Sequence, residues 1–192
     1  MKKKYKGQPG YFKYKKLQNG FISLAGLLVI LGIYIAGYIY YGTPKNYITI
    51  LAICIFLPVA KFMVQYFMFP WKGYVTQEEY DEIASSCGEL DLYSELMVTA
   101  SEKRFQISYL LIDKEDNIIA YTMDEKADTV SFEKGVTNFL NYYEFNSKVK
   151  LYTDLKSFQK RCSNLAVRNK EITAENQEHI QLVFEKICIM SI

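Results

Sequence analysis

Two long apolar runs dominate the first third of the chain. They cover residues 21–41 and 47–69, and only the polar turn 42–46 (Gly-Thr-Pro-Lys-Asn) separates them. At about 1.5 Å of rise per residue, helices of these lengths measure roughly 31 and 34 Å, and the hydrocarbon core of a bilayer is about 30 Å thick. The pattern therefore predicts a transmembrane hairpin of two α-helices over residues 21–69.

The placement of lysines predicts how this hairpin is oriented. The basic, aromatic tail of residues 1–20 has no acidic residue, and the turn carries only Lys45. The tail lysines are Lys2, Lys3, Lys4, Lys6, Lys13, Lys15 and Lys16. Because basic residues near a span are retained on the cytoplasmic side, we expect a multi-pass protein of the cell membrane with both termini in the cytoplasm. A cleaved signal peptide does not fit, since its apolar region spans about 7–15 residues.

The same tail has two interpretations. Each basic residue close to an anionic lipid surface contributes about 1 kcal/mol, so the tail is expected to bind anionic lipid of the inner leaflet. An ordinary topology signal produces the same pattern, and the sequence leaves both interpretations open.

Charge is divided unevenly along the chain. The net charge of +2 hides an acidic C-terminal part, because all 21 Asp and Glu residues lie after residue 69. Nucleic-acid binding depends on Lys and Arg that neutralise phosphates, so an acidic domain argues against it. The four cysteines are scattered, and no disulfide framework is predicted for a domain in a reducing compartment.

A stripe of small residues marks one side of the first span. Ala25, Gly32 and Ala36 fall within about 40° of one another on a helical wheel. Small side chains let helix backbones approach closely. The stripe therefore predicts a packing seam, either with the second span or with another copy of the chain in a homo-oligomer.

The second span carries a polar stripe at Cys54, Pro58, Lys61 and Gln65. Pro58 lacks a backbone donor and is expected to bend the helix. An ammonium inside the bilayer costs about 2.5–3.5 kcal/mol on insertion scales and usually indicates a functional position. Two interpretations remain: the stripe formed by Pro58, Lys61 and Gln65 meets a partner, or Lys61 extends its charge to the inner headgroups.

Residues 70–192 have the length of a single folded domain. Thr76 and Glu79 form a capping-box pattern at the start of the first predicted helix. The periodicity predicts helices at 76–87, 131–145, 155–166 and 174–189, and strands at 92–100, 104–112, 117–123 and 149–152. The order α-β-β-β-α-β-α-α is typical of an α+β or mixed α/β domain.

Acidic residues in this domain prompt a comparison with metal sites. The order α-β-β-β-α-β is also the core order of PD-(D/E)xK nucleases, and Asp113 with Asp124-Glu125-Lys126 has a similar acidic spacing. In an antiparallel hairpin, however, Asp113 and Asp124 lie about 23 Å apart, too far to share one metal. The segment also imitates a calcium loop, but Ile118 occupies the position that requires glycine.

No catalytic residue, cofactor or metal ligand is predicted. His179 is the only histidine, and the chain has no Gly-rich phosphate loop and no hydrolase signature. The leading hypothesis is an integral membrane protein with a cytoplasmic interaction or regulatory domain. The alternatives are a membrane-anchored enzyme, such as a metal-dependent hydrolase using Glu95, Asp113 or Asp124, and an accessory subunit of a transport or secretion complex.

Overall fold

A computed structural model describes residues 3–88, 90–168 and 173–191. Two long apolar helices come first, followed by a small mixed sheet with helices, as the sequence predicts. The elements are α1 (Tyr11–Tyr41), α2 (Tyr47–Met68), α3 (Gln77–Ser86), β1 (Leu92–Ala100), β2 (Lys103–Ile112), β3 (Asn117–Tyr121), α4 (Thr129–Tyr142), β4 (Lys148–Tyr152), α5 (Leu155–Arg168) and α6 (Ala174–Ile189). The order of these elements after α2 matches the predicted order.

The chain divides into two compact units. One, the hairpin unit, is Phe12–Trp71, and the other, the sheet unit, joins the described residues 3–11 to those from Lys72 onward. Residues of the predicted tail 1–20 are therefore found in both units. Lys2 lies outside the described residues.

The first helix is longer than the apolar run that predicts it. Helix α1 begins at Tyr11 rather than at residue 21. The added residues include Lys, Leu and Gln, which favour helix as strongly as apolar residues do. Hydropathy therefore marks where the apolar part begins and not where the helix begins.

Asn46 explains how so short a turn reverses the chain. Its side chain caps α2 by accepting a hydrogen bond from the Thr49 N–H at 2.9 Å. Its amide nitrogen also donates to the carbonyls of Gly37 and Thr43. One side chain thus joins the end of α1, the turn and the start of α2.

The sheet unit has the strand order β1-β2-β3-β4. Strands β1, β2 and β3 form an antiparallel meander, and β4 returns parallel to β3 after the crossover helix α4. Ser101 and Glu102 join β1 to β2 with φ of 48° and 63°, the two-residue turn of positive φ that suits the twist of a hairpin.

Helices cover both faces of this sheet. Helices α4 and α6 enclose one apolar layer, which includes Phe132 and Val183 (the α4/α6 layer). Helices α3 and α5 enclose the other, which includes Ile83 and Phe158 (the α3/α5 layer). The sheet therefore lies between two helical layers, each with its own buried core.

Both ends of the sheet unit cover the outer edge of β1. The Ser94 N–H donates to the Gly7 carbonyl at 2.9 Å, and the Thr99 N–H donates to the Met190 carbonyl at 2.9 Å. Lys6 Nζ donates to the Ser191 carbonyl at 2.8 Å and so links the two covering segments. An edge strand whose donors are occupied is protected from pairing with another chain.

Candidate functional site

Strand β1 contains a buried acid in an unusual backbone conformation. Glu95 has no exposed surface and a φ of 53°, which is uncommon for a residue other than glycine. Leu92 lies in the α3/α5 layer and Leu96 in the α4/α6 layer, although residues four apart in a regular strand share one face. The side chains of β1 therefore change face at Glu95. Such strained residues cluster at functional positions.

The pairing with β2 continues unchanged across this point. Ser94 pairs with Tyr109 and Leu96 with Ile107, so no residue is inserted into either strand. Strand β2 changes face at the same level, because Ile107 belongs to the α4/α6 layer and Leu111 to the α3/α5 layer. The backbone conformation at this level turns the side chains of both strands to the opposite face of the sheet, while the register between β1 and β2 stays the same.

Glu95 holds the segment that follows the hairpin unit, residues 72–75, which we call the connector. Its Oε1 accepts a hydrogen bond from the Val75 N–H at 2.8 Å. Gln106 Nε2 on β2 donates to the carbonyls of Lys72 at 3.1 Å and Gly73 at 2.9 Å. Two side chains from adjacent strands therefore fix the connector on the sheet.

Tyrosines near Glu95 keep their protons. Burial raises the pKa of Tyr109, and the nearby carboxylates of Glu79 and Glu95 raise that pKa further. Burial, with a smaller contribution from Asp91, raises the pKa of Tyr93 to about 12. Both hydroxyls are therefore neutral at physiological pH.

The bond from Glu95 to the connector predicts a measurable loss of stability. In Glu95→Ala the buried Val75 N–H loses its carboxylate acceptor, and an unsatisfied buried donor costs about 1–3 kcal/mol. We expect the free energy of unfolding of the full chain in detergent, measured by chemical denaturation, to fall by that amount. Glu95→Gln keeps an acceptor oxygen and is expected to lose less. Equal stability of the alanine variant and the wild type would contradict the role given to Glu95.

The acidic side chains that the sequence offers as metal ligands either accept hydrogen bonds within the fold or lie far apart. Asp113 Oδ1 accepts from the N–H groups of Glu115 and Asn117 at 2.9 and 2.8 Å, and its Oδ2 accepts from Asn117 Nδ2 at 2.7 Å. The pairing of Tyr109 with Tyr121 places Asp124 level with Gln106, at the other end of the β2–β3 pair. Within the described ranges, no three His, Cys, Asp or Glu side chains form a group able to hold a metal ion.

His179 makes a side-chain hydrogen bond that its sequence neighbours do not reveal. Its Nε2 lies 2.7 Å from Asp116 Oδ1, and its ring packs against Phe145 at 5.7 Å between centroids. Asp116 belongs to the turn between β2 and β3, whereas His179 is on α6. The contact therefore links α6 to the turn between β2 and β3.

Two buried thiols meet between α3 and α5. Cys87 and Cys162 have no exposed surface. A hydrogen bond from Cys162 lowers the pKa of Cys87, and the same bond together with burial raises the pKa of Cys162. All four cysteines are free thiols.

A polar cleft of about 330 Å³ lies where β2 begins and β3 ends. Its lining includes Lys103, Gln106, Asp124 and Asp128. Lys103 Nζ lies 2.7 Å from Asp128 Oδ2. This hydrogen bond lowers the pKa of Asp128, which also caps α4 by accepting from Ser131. Lys103 and Asp128 are thus paired with each other, and Arg104 and Lys126 also line the cleft.

The hairpin unit presents its apolar side chains outward. Helices α1 and α2 are long and apolar enough to cross a membrane, and the most apolar 18-residue windows within them have mean hydropathies of 2.3 and 2.2. Only 11% of the most apolar window of each helix is buried, whereas a core helix of a soluble protein is mostly buried. An apolar surface of this extent is typical of a binding or membrane surface.

The predicted polar stripe lies on the outside of α2. Pro58, Lys61 and Cys54 are exposed and Gln65 is half-buried. The residues of α2 that are buried are Ala52 and Val59, on its other side. In the described part of the chain, neither the Lys61 ammonium nor the Gln65 side-chain amide has a partner.

The predicted seam does not face α2 in the structure. Ala25, Gly32 and Ala36 are exposed, and a Cβ added to Gly32 would meet nothing within 4 Å. The glycines of α1 that do meet α2 are Gly20, opposite Tyr66, Gly26, opposite Val59, and Gly37, opposite Ile48. Packing of the Ala25, Gly32 and Ala36 stripe against another copy of the chain stays a prediction.

Contacts at the open end of the hairpin determine which face of α1 meets α2. The rings of Phe12 and Phe69 pack at 5.8 Å between centroids. Lys16 Nζ donates to the Pro70 carbonyl at 3.2 Å and lies 3.4 Å from the centroid of the Trp71 ring. Helical spacing continues this face from Lys16 through Asn19 and Ser23 to Gly26. Part of this face lies before residue 21, outside the predicted span.

Comparison of the chain with protein-family models, with curated proteins and with solved structures finds no match.

Proposed function

We propose that this chain is an integral protein of the cell membrane, anchored by the α1–α2 hairpin, whose sheet unit is a cytoplasmic interaction or regulatory domain. The observation that carries the proposal is the outward apolar surface of two helices of 31 and 22 residues. In water such a surface is strongly unfavourable, and in a bilayer it is the surface that lipid requires.

The charge distribution supports the proposed orientation. Seven lysines precede the apolar part of α1, and one, Lys45, lies in the turn at the other end of the hairpin. The rule that basic residues stay on the cytoplasmic side then places both chain ends in the cytoplasm and the turn outside.

The chemistry of the sheet unit supports an interaction role over catalysis. Its buried acids, Glu95 and Asp113, accept hydrogen bonds from the backbone. His179 is paired with Asp116, and Glu133 accepts from the Leu151 N–H and pairs with Lys150. Side chains that are bonded within the fold in this way are not available to bind a substrate. The helices on the two faces of the sheet, in contrast, present a stable surface to a partner protein.

The membrane proposal is tested on the full chain in cells. We expect the protein to stay in the membrane fraction after extraction with alkaline carbonate. A fusion after Ile192 to a reporter that is active only in the cytoplasm is expected to be active, and one that is active only outside is expected to be silent. Release by carbonate would contradict the membrane anchor. The opposite reporter pattern would contradict the orientation.

The interaction role is tested with the same full chain, because the segment around Gly7 covers β1 and a fragment beginning at residue 70 would lack it. Cross-linking in cells followed by purification in detergent is expected to retain a protein partner in a fixed ratio. A monomer without partners would contradict the role.

A further inference from the structure

The polar face of α2, formed by Cys54, Pro58, Lys61 and Gln65, lies on the side of the helix away from its buried residues Ala52 and Val59. Helix α2 is otherwise strongly apolar, and its most apolar 18-residue window has a mean hydropathy of 2.2. Lys61 is exposed, and no other group among the described residues pairs with its ammonium. Pro58 has no N–H, so the Cys54 carbonyl one turn earlier loses its helical donor. The face therefore offers a cation and a side-chain amide without partners among the described residues, and a carbonyl that lacks its usual helical donor.

The depth of Lys61 in the membrane makes it unfavourable for its ammonium group to reach the lipid headgroups. Lys61 precedes the end of α2 at Met68 by seven residues, or about 10 Å along the helix. Side chains on a helix lean toward its N-terminus, and in the proposed orientation the N-terminus of α2 is the outer end. The Lys61 side chain therefore leans away from the cytoplasmic headgroups.

The chain cannot supply the missing counter-charge from its own spans. Residues 1–69 contain no Asp or Glu, so a second copy of the hairpin would bring another lysine to this face instead of a carboxylate. Ionisable groups inside a membrane are usually paired with one another or with backbone carbonyls. A partner for this face must therefore come from a different molecule.

We propose that the polar face of α2 binds a transmembrane helix of another protein that carries a carboxylate at the depth of Lys61. This inference rests on the membrane function proposed above. Lys61 forms the ion pair, Gln65 donates to the same carboxylate or to a neighbouring carbonyl, and the free Cys54 carbonyl accepts from a polar side chain of the partner. Charge complementarity thus selects an acidic helix and rejects a basic one.

The test uses a synthetic probe in place of the natural partner. The full chain is reconstituted in phosphatidylcholine vesicles with a polyleucine transmembrane peptide that carries one glutamate at the depth of Lys61. Matched peptides carry leucine or lysine at that position. Association is measured by energy transfer between labels on the chain and on the peptide. We expect the glutamate peptide to associate at least tenfold more tightly than the leucine peptide.

Variants of the chain test whether Lys61 causes the preference for the glutamate peptide. Lys61→Leu is expected to abolish the preference for the glutamate peptide, and Lys61→Arg is expected to keep it. Lys45→Leu removes a lysine from the turn and is the matched control, which should behave as the wild type. Equal energy transfer with the glutamate and leucine peptides, or a preference that survives Lys61→Leu, would overturn the proposal.

Two further outcomes separate this inference from the proposals around it. If alkaline carbonate releases the chain from the vesicles, the proposed membrane function is wrong and this inference is wrong with it. If the chain stays in the vesicles but binds the glutamate and leucine peptides equally, only this inference is overturned. Vesicles containing phosphatidylglycerol test a lipid occupant. If Lys61→Leu removes a preference for that lipid while no peptide is preferred, the face binds lipid phosphate and the proposal is overturned.

Discussion

Phe158→Ala is expected to lower the free energy of unfolding by about 3–5 kcal/mol, the usual cost of removing a buried phenylalanine. Phe158 on α5 has no exposed surface. Its ring lies 5.8 Å from that of Tyr121, 6.2 Å from that of Tyr109 and 6.3 Å from that of Tyr152. The alanine variant leaves a cavity among three rings from β2, β3 and the end of β4.

The measurement is chemical denaturation of the full chain in detergent, followed by a signal from the sheet unit. Val167→Ala on the same helix is the matched control, because Val167 is 65% exposed and a surface change of this kind usually stays within about 0.5 kcal/mol. A loss for Phe158→Ala no larger than that of the control would show that the α3/α5 layer contributes little to stability.

The helices of the sheet unit were predictable because their apolar spacing is regular. Phe158, Cys162 and Leu165 recur at helical intervals on α5, and all three are buried. The same holds for Phe132, Val136 and Leu140 on α4. Helix ends were less accurate: α4 begins at Thr129, because the Asp128 side chain accepts from Ser131 and starts the helix two residues before the predicted start.

The change of face at Glu95 could not be predicted from alternation. The segment Leu92–Ala100 contains apolar residues at both odd and even positions, so either face fits part of it. What decides the conformation is the connector, because the carboxylate of Glu95 accepts from Val75, twenty positions earlier in the chain. Contacts between residues this far apart in the chain leave no periodic pattern in the sequence.

The same limit applies to the other long-range contacts of the site. The pair of His179 and Asp116 spans 63 positions, and the hydrogen bond between Gly7 and Ser94 spans 87. By contrast, the polar stripe of α2 was predictable, because its residues recur at helical spacing within one element. Local patterns therefore identify the exposed polar face of α2, whereas the positions that fix the connector depend on the fold.

Moving the positive charge from the tail to the turn is expected to invert the hairpin. The variant replaces Lys2, Lys3, Lys4, Lys6, Lys13 and Lys15 with glutamine and introduces Thr43→Lys and Pro44→Lys beside Lys45. Lys16 is kept because it donates to the Pro70 carbonyl, and Asn46 is kept because it caps α2. The turn then carries three lysines and the tail one, so the rule that holds basic residues in the cytoplasm favours the opposite orientation.

A fusion after Ile192 to a reporter that is active only outside the cell is expected to change from silent to active. A control variant adds two lysines at exposed positions of the sheet unit that are distant in sequence from either span, Tyr142→Lys and Val130→Lys, and is expected to keep the original orientation because such charges contribute little. If the relocated charges left the chain end wholly in the cytoplasm, the lysines would not set the orientation. The packing at the open end of the hairpin, between Phe12 and Phe69 and between Lys16 and Trp71, would then be the remaining determinant.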